Sequence, residues 1–372
     1  MPKKSPLSFQ IDLKKFEKAT DEEKRQQDVM SESTSFWKDG FRKLRRNPLA
    51  MGSLIVLILI IGMILIVPHV VPYSYSQIIT VNGRRDKTAS NMAPFQYSQL
   101  EQQYIEEGGK VFPHIMGTDE MGRDYFVRVI YGTRVSLAVG LFASIIVLII
   151  GVLYGSISGY FGGKVDLIMM RIVDIIYSLP DMLMVILLSV VLRETLNVDA
   201  IPFLQKLGPN MISMFIVFGL LYWTGMARMV RGQILTIKQN EYVLAAKISG
   251  AKSGRIIRRH ILPNCVSVII VAGALQIPSA IFTESFLSFI GLGVQAPMPS
   301  LGSLANAGRA GLTAYPYKLI FPAIMICLIT LAFNLLGDGL RDAFDPKLRR
   351  QYFLHRKQNG SLLPFAVDPR LF

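Results

Sequence analysis

Long apolar runs separated by shorter polar segments dominate this chain. Several of the runs approach the roughly 20 residues that a helix needs to cross a bilayer. The pattern therefore predicts an all-α polytopic membrane protein with six transmembrane helices. The predicted spans are residues 49–71, 135–154, 167–192, 211–227, 265–282 and 319–336. The last five would form a helical core within residues 134–340.

The third predicted span differs from the others because it contains Arg171, Asp174, Pro180 and Asp181. Ionisable residues in a membrane are costly unless they pair with one another or face water. Arg171 and Asp174 are spaced to pair along one helical face, and Pro180 should kink the helix. Two interpretations fit equally: the charged residues line a translocation pathway, or they form an interhelical bracket near the membrane surface.

A long basic segment, residues 228–264, separates the fourth and fifth spans. Its only acidic residue is Glu241, and cytoplasmic loops of membrane proteins carry an excess of lysine and arginine. We therefore expect this segment to lie in the cytoplasm. Its basic residues are Arg228, Arg231, Lys238, Lys247, Lys252, Arg255, Arg258 and Arg259.

The same segment predicts a helical hairpin. Residues 241–249 are good helix formers and end at Gly250, and a second helical stretch at 252–262 ends before Pro263. Glycine can adopt the left-handed conformation that closes a helix, whereas proline cannot continue one. A helix, a turn and a second helix would present a short knob to a partner.

This assignment orients the remaining segments. Both termini should lie in the cytoplasm, and residues 72–133 should be extracytoplasmic. Residues 36–48 combine Trp37 and Phe41 with several cations, which suits an interfacial helix on anionic lipid. Residues 284–318 are rich in glycine and proline and predict an irregular or re-entrant outer stretch. Residues 1–35 and 341–372 are expected to be cytoplasmic tails, the first of them mobile.

Composition and charge exclude several other classes. Apolar residues make up 51% of the chain, and its net charge is +14. The cations cluster beside apolar runs, so membrane topology explains them better than nucleic-acid binding does. Cys265 and Cys327 both fall in apolar runs, which argues against a disulfide framework or a zinc site. The acidic group at 119–124 lacks the spacing of a calcium loop, and we expect a structured turn there.

No nucleotide-binding or catalytic motif is found in the sequence. Gly162, Gly163 and Lys164 are followed by Val165, so a phosphate-binding loop with the pattern GxxxxGK[ST] is lacking. We therefore expect no cofactor, no metal and no catalytic residue in this chain. If this chain works with ATP, a partner must bind the nucleotide.

The pattern Ala245-Ala246, Gly250 and HILP at 260–263 resembles the EAA loop of ATP-binding cassette (ABC) importer permeases. It departs from that loop at Leu244 and His260, and both departures resemble the peptide-importer branch. Further segments are similar to permeases for peptides and nickel, and more narrowly to the C-type subunit of oligopeptide and dipeptide importers. They are HIMGTDEMGRD, GYFGGKVDLIMMRIVD, ESFLSFIGLGVQAP and FNLLGDGLRDAFDPKL. The resemblance extends from Phe36 to Leu348.

This resemblance implies a type I importer permease fold of the MetI-like kind. The 228–264 segment would contain the coupling helix, which docks into a cleft on a cytoplasmic ATPase. The implied partners are a B-type permease, two ATPases that bind ATP and magnesium, an extracytoplasmic peptide-binding protein, the peptide substrate and membrane lipid. The implied coupling residues are Glu241, Tyr242, Ala245, Ala246, Gly250, Arg255, His260, Leu262 and Pro263.

Alternatives to a peptide importer remain. A permease of the same family could carry nickel or another small solute. A self-contained secondary transporter would be expected to show inverted repeats, and no internal repeat is found. A membrane enzyme would need a catalytic cluster, but the four histidines are scattered along the chain. The basic segment could also be a plain loop that anchors the helices by its charge.

Overall fold

The computed structural model describes residues 36–195, 209–294 and 298–344, and these residues are mainly helical. The predicted tail at 1–35 and nearly all of the one at 341–372 lie outside them. The helices are α1 (Phe36–Arg46), α2 (Pro48–Val70), α3 (Gln99–Glu106), α4 (Tyr125–Phe161), α5 (Gly163–Ser178), α6 (Asp181–Thr195), α7 (Pro209–Val217), α8 (Trp223–Ile237), α9 (Glu241–Ile248), α10 (Ser253–Ile256), α11 (Leu262–Phe289), α12 (Leu301–Ala310) and α13 (Tyr317–Phe344).

Five continuous helices in the described chain are long and apolar enough to cross a membrane. They are Pro48–Val70, Tyr125–Phe161, Asn210–Ile237, Ser253–Phe289 and Tyr317–Phe344. Gly163–Ser178 and Met182–Leu192 are bent by 89° and supply a sixth span if they form one broken segment. The structure therefore agrees with the predicted helical membrane architecture, and its five or six spans are consistent with the predicted six.

The helices define two ends of the bundle. At the first, which we call the hairpin end, Leu44 and Ala50 pack with Phe344, and Trp37 contacts the Phe344 ring edge-on. The base of the α9–α10 hairpin lies at the same end as the last turn of α4. The opposite end, which we call the cap end, contains residues 71–124, 290–294 and 298–316. There the Tyr317 hydroxyl donates a 2.8 Å hydrogen bond to the Met92 carbonyl.

Helix α4 packs closely on α8 along a stripe of glycines. Gly151, Gly155 and Gly159 are spaced four residues apart, so they lie on one face of α4. A Cβ atom built on Gly155 would come within 2.5 Å of the Ala227 carbonyl oxygen, and one on Gly159 within 3.0 Å of the Arg231 carbonyl oxygen. Small residues at this spacing let two membrane helices approach at their backbones.

Several helix boundaries differ from the predicted ones. The segment before the second span ends at Asp124, whose side chain caps α4, rather than at residue 133. The fourth span continues through Arg228 and Arg231 to Ile237 instead of ending at residue 227. These arginines stay helical because each reaches a carboxylate on α5. Hydropathy alone ends a span where charges begin, whereas paired charges allow the helix to continue.

The prediction that a helix ends before Pro263 is wrong. The chain stays helical from Ser253 through Pro263 to Phe289, with a π-helical turn at Ile257–Ile261. In this turn the Leu262 N–H donates to the Ile257 carbonyl, five residues earlier. In a π-helical turn each N–H bonds to the carbonyl five residues earlier instead of four. This change falls just before Pro263, which has no N–H to donate. A second π-helical turn, Phe218–Tyr222, joins α7 to α8.

Residues 71–124 form a folded cap that contains α3 and a small antiparallel hairpin, Thr80–Val81 paired with Arg84–Arg85. Ser98 and Glu101 make reciprocal capping bonds at the start of α3. The acidic group at 119–124 forms the structured turn that was predicted. Asp119 accepts from the backbone N–H groups of Met121 and Arg123, both at 2.9 Å.

His114 joins this cap to the membrane helices. One ring nitrogen lies 2.7 Å from Asp124, the residue that caps α4, and the other lies 3.0 Å from Glu101 on α3. Burial alone disfavours the charged imidazolium, but the hydrogen bonds to Asp124 and Glu101 outweigh it and raise the pKa of His114 to about 9. The protonated ring can donate to both carboxylates at once.

We expect the cap to lose stability as the pH rises from 6.5 to 9. The folded pKa of His114 lies above the ordinary value of 6.5, so its contribution is complete below pH 6.5 and is lost through pH 9. The contribution of His114 to the free energy of unfolding is on the order of 3 kcal/mol. Hydrogen exchange of the cap amides at a series of pH values measures this loss. His114→Gln should abolish the pH dependence, whereas His69→Gln, at an exposed position, should retain it. An unchanged profile in His114→Gln would contradict the assignment.

Candidate functional site

Helix α9 forms the tip of the hairpin and is closed by a defined turn. Gly250 adopts φ +76°, the left-handed conformation predicted for it. The Ser249 N–H donates to the Ala245 carbonyl at 2.9 Å, and the Ala251 N–H donates to the Ala246 carbonyl at 3.1 Å. The second bond spans five residues, as in a Schellman cap. The turn after α9 is therefore fixed by backbone hydrogen bonds.

The inner face of the hairpin is packed onto the membrane helices. Val243 of α9 and Ile256 of α10 are buried in one apolar cluster with Val173 of α5 and Ile234 of α8. Ile261, in the π-helical turn, has no exposed surface and belongs to the same cluster. The hairpin and the third and fourth spans therefore share one buried apolar cluster.

The outer face of the hairpin carries exposed apolar side chains. Ile248 is 88% exposed, and Tyr242 and Leu244 are 42% and 48% exposed. Ala245 is exposed beside them, and a Cβ atom on Gly250 would meet nothing within 4 Å. The hairpin therefore exposes a group of apolar side chains on a polar, basic segment, as interaction surfaces do.

Basic residues flank this face. Arg255, Arg258 and Arg259 are all exposed, whereas His260 is half-buried in the π-helical turn. Leu262 and Pro263 lie at the start of α11, away from the exposed face of α9. The predicted coupling residues therefore separate into an exposed apolar tip, a basic flank and a helical base.

Charged contacts tie the base of the hairpin to neighbouring spans. The Arg231 guanidinium donates two hydrogen bonds to the Asp166 carboxylate, both at 2.5 Å. The Ser158 hydroxyl donates to the same carboxylate. The Lys238 ammonium donates to the Gly159 carbonyl at 2.8 Å. A bidentate arginine and carboxylate pair also fixes geometry, so α4, α5 and α8 are held together here.

The predicted pairing of Arg171 with Asp174 is wrong. Asp174 accepts a 2.8 Å hydrogen bond from Arg228 on α8, and the Arg228 guanidinium lies 4.3 Å from the centre of the Tyr177 ring. Arg228 therefore pairs with the Asp174 carboxylate and also makes a cation–π contact with the Tyr177 ring. This geometry matches the interhelical bracket that the sequence left as one of two interpretations. Arg171 is exposed, and the side chain of Asp181 lies outside the described residues.

Glu284 is a further buried group, and its predicted position in an irregular outer stretch is wrong. It lies within α11 and has no exposed surface. Ser136 of α4 and Ser288 each donate to its carboxylate at 2.7 Å. Backbone donors extend the network, since Leu301 N–H bonds to Ser136 and Val294 N–H to Ser288. A buried carboxyl group needs such hydrogen-bond partners. Nothing in the sequence around Glu284 indicated that Ser136, on another helix, would be one of them.

The described residues form a multi-span membrane protein with a basic helical hairpin at one end of the bundle. Residues 151–350 match the family described as the inner membrane component of binding-protein-dependent transport systems. Residues 35–94 match the N-terminal transmembrane domain of oligopeptide transport permease C. The chain belongs to this family of binding-protein-dependent transport permeases.

Curated relatives match along most of their length. The chain is 43% identical to the oligopeptide transport system permease protein OppC of Bacillus subtilis over 322 residues, which are 87% of this chain and 93% of the relative. It is 44% identical to the dipeptide transport system permease protein DppC of the same organism, over 87% of this chain and 89% of that protein. It is 40% identical to OppC of Escherichia coli, over 86% of this chain and 93% of that protein. The predicted resemblance to C-type permeases of peptide importers is confirmed.

Proposed function

We propose that this chain forms one half of the translocation pathway of an ATP-driven peptide importer. A B-type permease supplies the other half, two cytoplasmic ATPases bind ATP and magnesium, and an extracytoplasmic binding protein delivers the peptide. The observation that carries the coupling role is the hairpin, which is exposed and apolar on its outer face and packed into the membrane bundle on its inner face. The names of the curated relatives support the peptide substrate.

The orientation of the chain follows from its charge. The excess of lysine and arginine in the hairpin supports a cytoplasmic position for the hairpin end. The start of α1 and the end of α13 lie at this same end, since Trp37 contacts Phe344. Both termini are therefore cytoplasmic in this proposal, and α1 lies at the inner membrane surface. The cap at 71–124 then faces the side from which the binding protein arrives.

Coupling proceeds through rigid packing. Tyr242, Leu244 and Ile248 of α9 lie in a cleft of one ATPase. When ATP draws the two ATPases together, that subunit moves α9 with it. Val243 and Ile256 transmit this movement to α5 and α8, because all of them share one buried cluster. Packed interfaces switch between discrete arrangements rather than bending continuously. The bundle therefore alternates between outward-open and inward-open states.

The charged residues of the third span have separate roles in this proposal. The pair of Asp174 with Arg228 braces α5 against α8 during the movement. Arg171 and Asp181 stay as candidates for the wall of the pathway.

Reconstitution tests the proposed function. Proteoliposomes that contain this chain, the B-type permease and the ATPases are supplied with the binding protein and a labelled peptide. We expect uptake only when ATP and magnesium are present on the hairpin side. Peptide uptake by this chain without any ATPase would contradict the proposal and would favour a self-contained secondary transporter.

A further inference from the structure

A cavity of about 540 Å³ opens at the bend between α5 and α6. It is bordered by the bend itself, at Ser178 and Pro180, by α8 at Thr224 and Gly225, and by α11 at Gln276 and Ser279. The third, fourth and fifth spans therefore all contribute to it. Irregular backbone at membrane depth is tolerated where it is buried in protein or lines a water-filled cavity.

The described side chains that line this cavity include several hydrogen-bonding groups, and none of them is charged. Gln276 carries an amide that can both donate and accept, and Ser279 carries a hydroxyl. The hydroxyls of Ser178 and Thr224 donate to backbone carbonyls of their own helices, so they offer acceptor lone pairs to the cavity. The Asp174 carboxylate and the Arg228 guanidinium, which flank the region in sequence, are paired with each other at 2.8 Å. The described part of the cavity wall therefore offers hydrogen bonds to neutral groups and carries no net charge.

Packing against neighbouring atoms does not require glycine at position 225. A Cβ atom built there would meet no atom within 4 Å, in contrast to Gly151, Gly155 and Gly159, whose faces are occupied by α8. Its backbone is helical, so φ does not require glycine either. The missing side chain keeps the cavity wide on the α8 side.

We propose that this cavity is the peptide-contacting part of the pathway half, and that it binds the peptide main chain through neutral hydrogen bonds. The proposal rests on the proposed function. An extended peptide presents an N–H and a C=O at every residue, which an amide and several hydroxyls can pair without regard to the side chains. Because none of the described lining groups is charged, this part of the pathway gives cationic and anionic peptides equal access. Gly225 sets the width that is available to their side chains.

The first test narrows the cavity. Gly225→Leu should reduce uptake of peptides with bulky side chains about tenfold or more relative to peptides of glycine and alanine, because a filled pocket rejects volume. Gly232→Leu is the matched control. Gly232 lies on the same helix, its Cβ position is equally open, and it does not line the cavity. It should leave both uptake rates unchanged. Equal effects of the two variants, or no effect of Gly225→Leu, would overturn the proposal.

The second test changes the charge of the wall. Gln276→Glu should make uptake depend on peptide charge, with cationic peptides favoured over anionic ones, whereas the wild type should not discriminate. Gln276→Leu should reduce uptake of all peptides by roughly tenfold, because main-chain groups lose a partner. Co-purification with the ATPases should be normal in each variant. If wild-type complexes take up peptide but Gln276→Glu shows no charge preference, this inference fails and the proposed function stands. If wild-type complexes take up no peptide, the proposed function itself fails.

Discussion

Replacing Ile248 with aspartate is expected to uncouple the transporter while leaving the fold intact. Ile248 is 88% exposed, so the free chain loses almost no packing, and exposed substitutions of this kind change stability by about 0.5 kcal/mol or less. In the assembled importer the side chain would lie in the ATPase cleft. An unpaired charge buried at an interface costs roughly 3–5 kcal/mol, so docking and peptide-stimulated ATP turnover should fall about tenfold or more.

ATP turnover and co-purification of the ATPases measure this effect together. Ile105→Asp is the control, because Ile105 lies on α3 at the cap end and is 39% exposed. It introduces the same charge on the opposite side of the membrane and should leave co-purification with the ATPases unchanged. Normal docking and turnover in Ile248→Asp would remove α9 from the coupling role.

Replacing Glu284 with alanine is expected to destabilise the membrane bundle by on the order of 3 kcal/mol. The change empties a fully buried site and removes the acceptor for the hydroxyls of Ser136 and Ser288. Both hydroxyls also accept backbone N–H bonds, from Leu301 and Val294. The connection between α4, α11 and the start of α12 should therefore loosen, and transport should fall with it.

Survival of the folded chain in detergent during heating measures the effect of Glu284→Ala. Glu284→Gln keeps the volume and one acceptor oxygen, and should retain most of the stability. Glu106→Ala, at an exposed position on α3, should behave as the wild type. Equal heat resistance in Glu284→Ala and the wild type would show that the serine network contributes little.

The helical hairpin could be predicted from the sequence because its signals are local. Helix formers at 241–249 and a glycine at 250 specify a helix and its cap without any distant partner. The structure places α9 at Glu241–Ile248 and gives Gly250 a positive φ. The bend at Pro180 was predictable for the same reason, since proline lacks the donor that a helix needs.

The errors arose where distant residues decide the outcome. Arg228 remains helical because Asp174 lies opposite on another span, and Glu284 lies within the bundle because Ser136 comes from α4. Pro263 is accommodated by a π-helical turn before it, which periodicity does not show. For Arg228 and Glu284 the sequence contains both partners, but their spacing does not indicate that they meet.

One long-range signal was present in the sequence and was missed. Gly151, Gly155 and Gly159 repeat at an interval of four residues in an apolar helix, which is the pattern of a close helix–helix contact. The structure uses them against Ala227 and Arg231. Such a stripe predicts that α4 has a tightly packed neighbour, although it does not identify that neighbour as α8.

Site-directed cross-linking from residue 248 tests the central claim most directly. Ile248→Cys is introduced together with Cys327→Ser, since Cys327 is exposed whereas Cys265 is buried. In inside-out membrane vesicles that contain the whole importer, a short thiol cross-linker should join residue 248 to an ATPase subunit, and nucleotide should change the yield. A membrane-impermeant thiol reagent should label residue 248 only from the cytoplasmic side. Labelling from the outer side, or an assembled importer in which residue 248 forms no cross-link to an ATPase, would contradict the account.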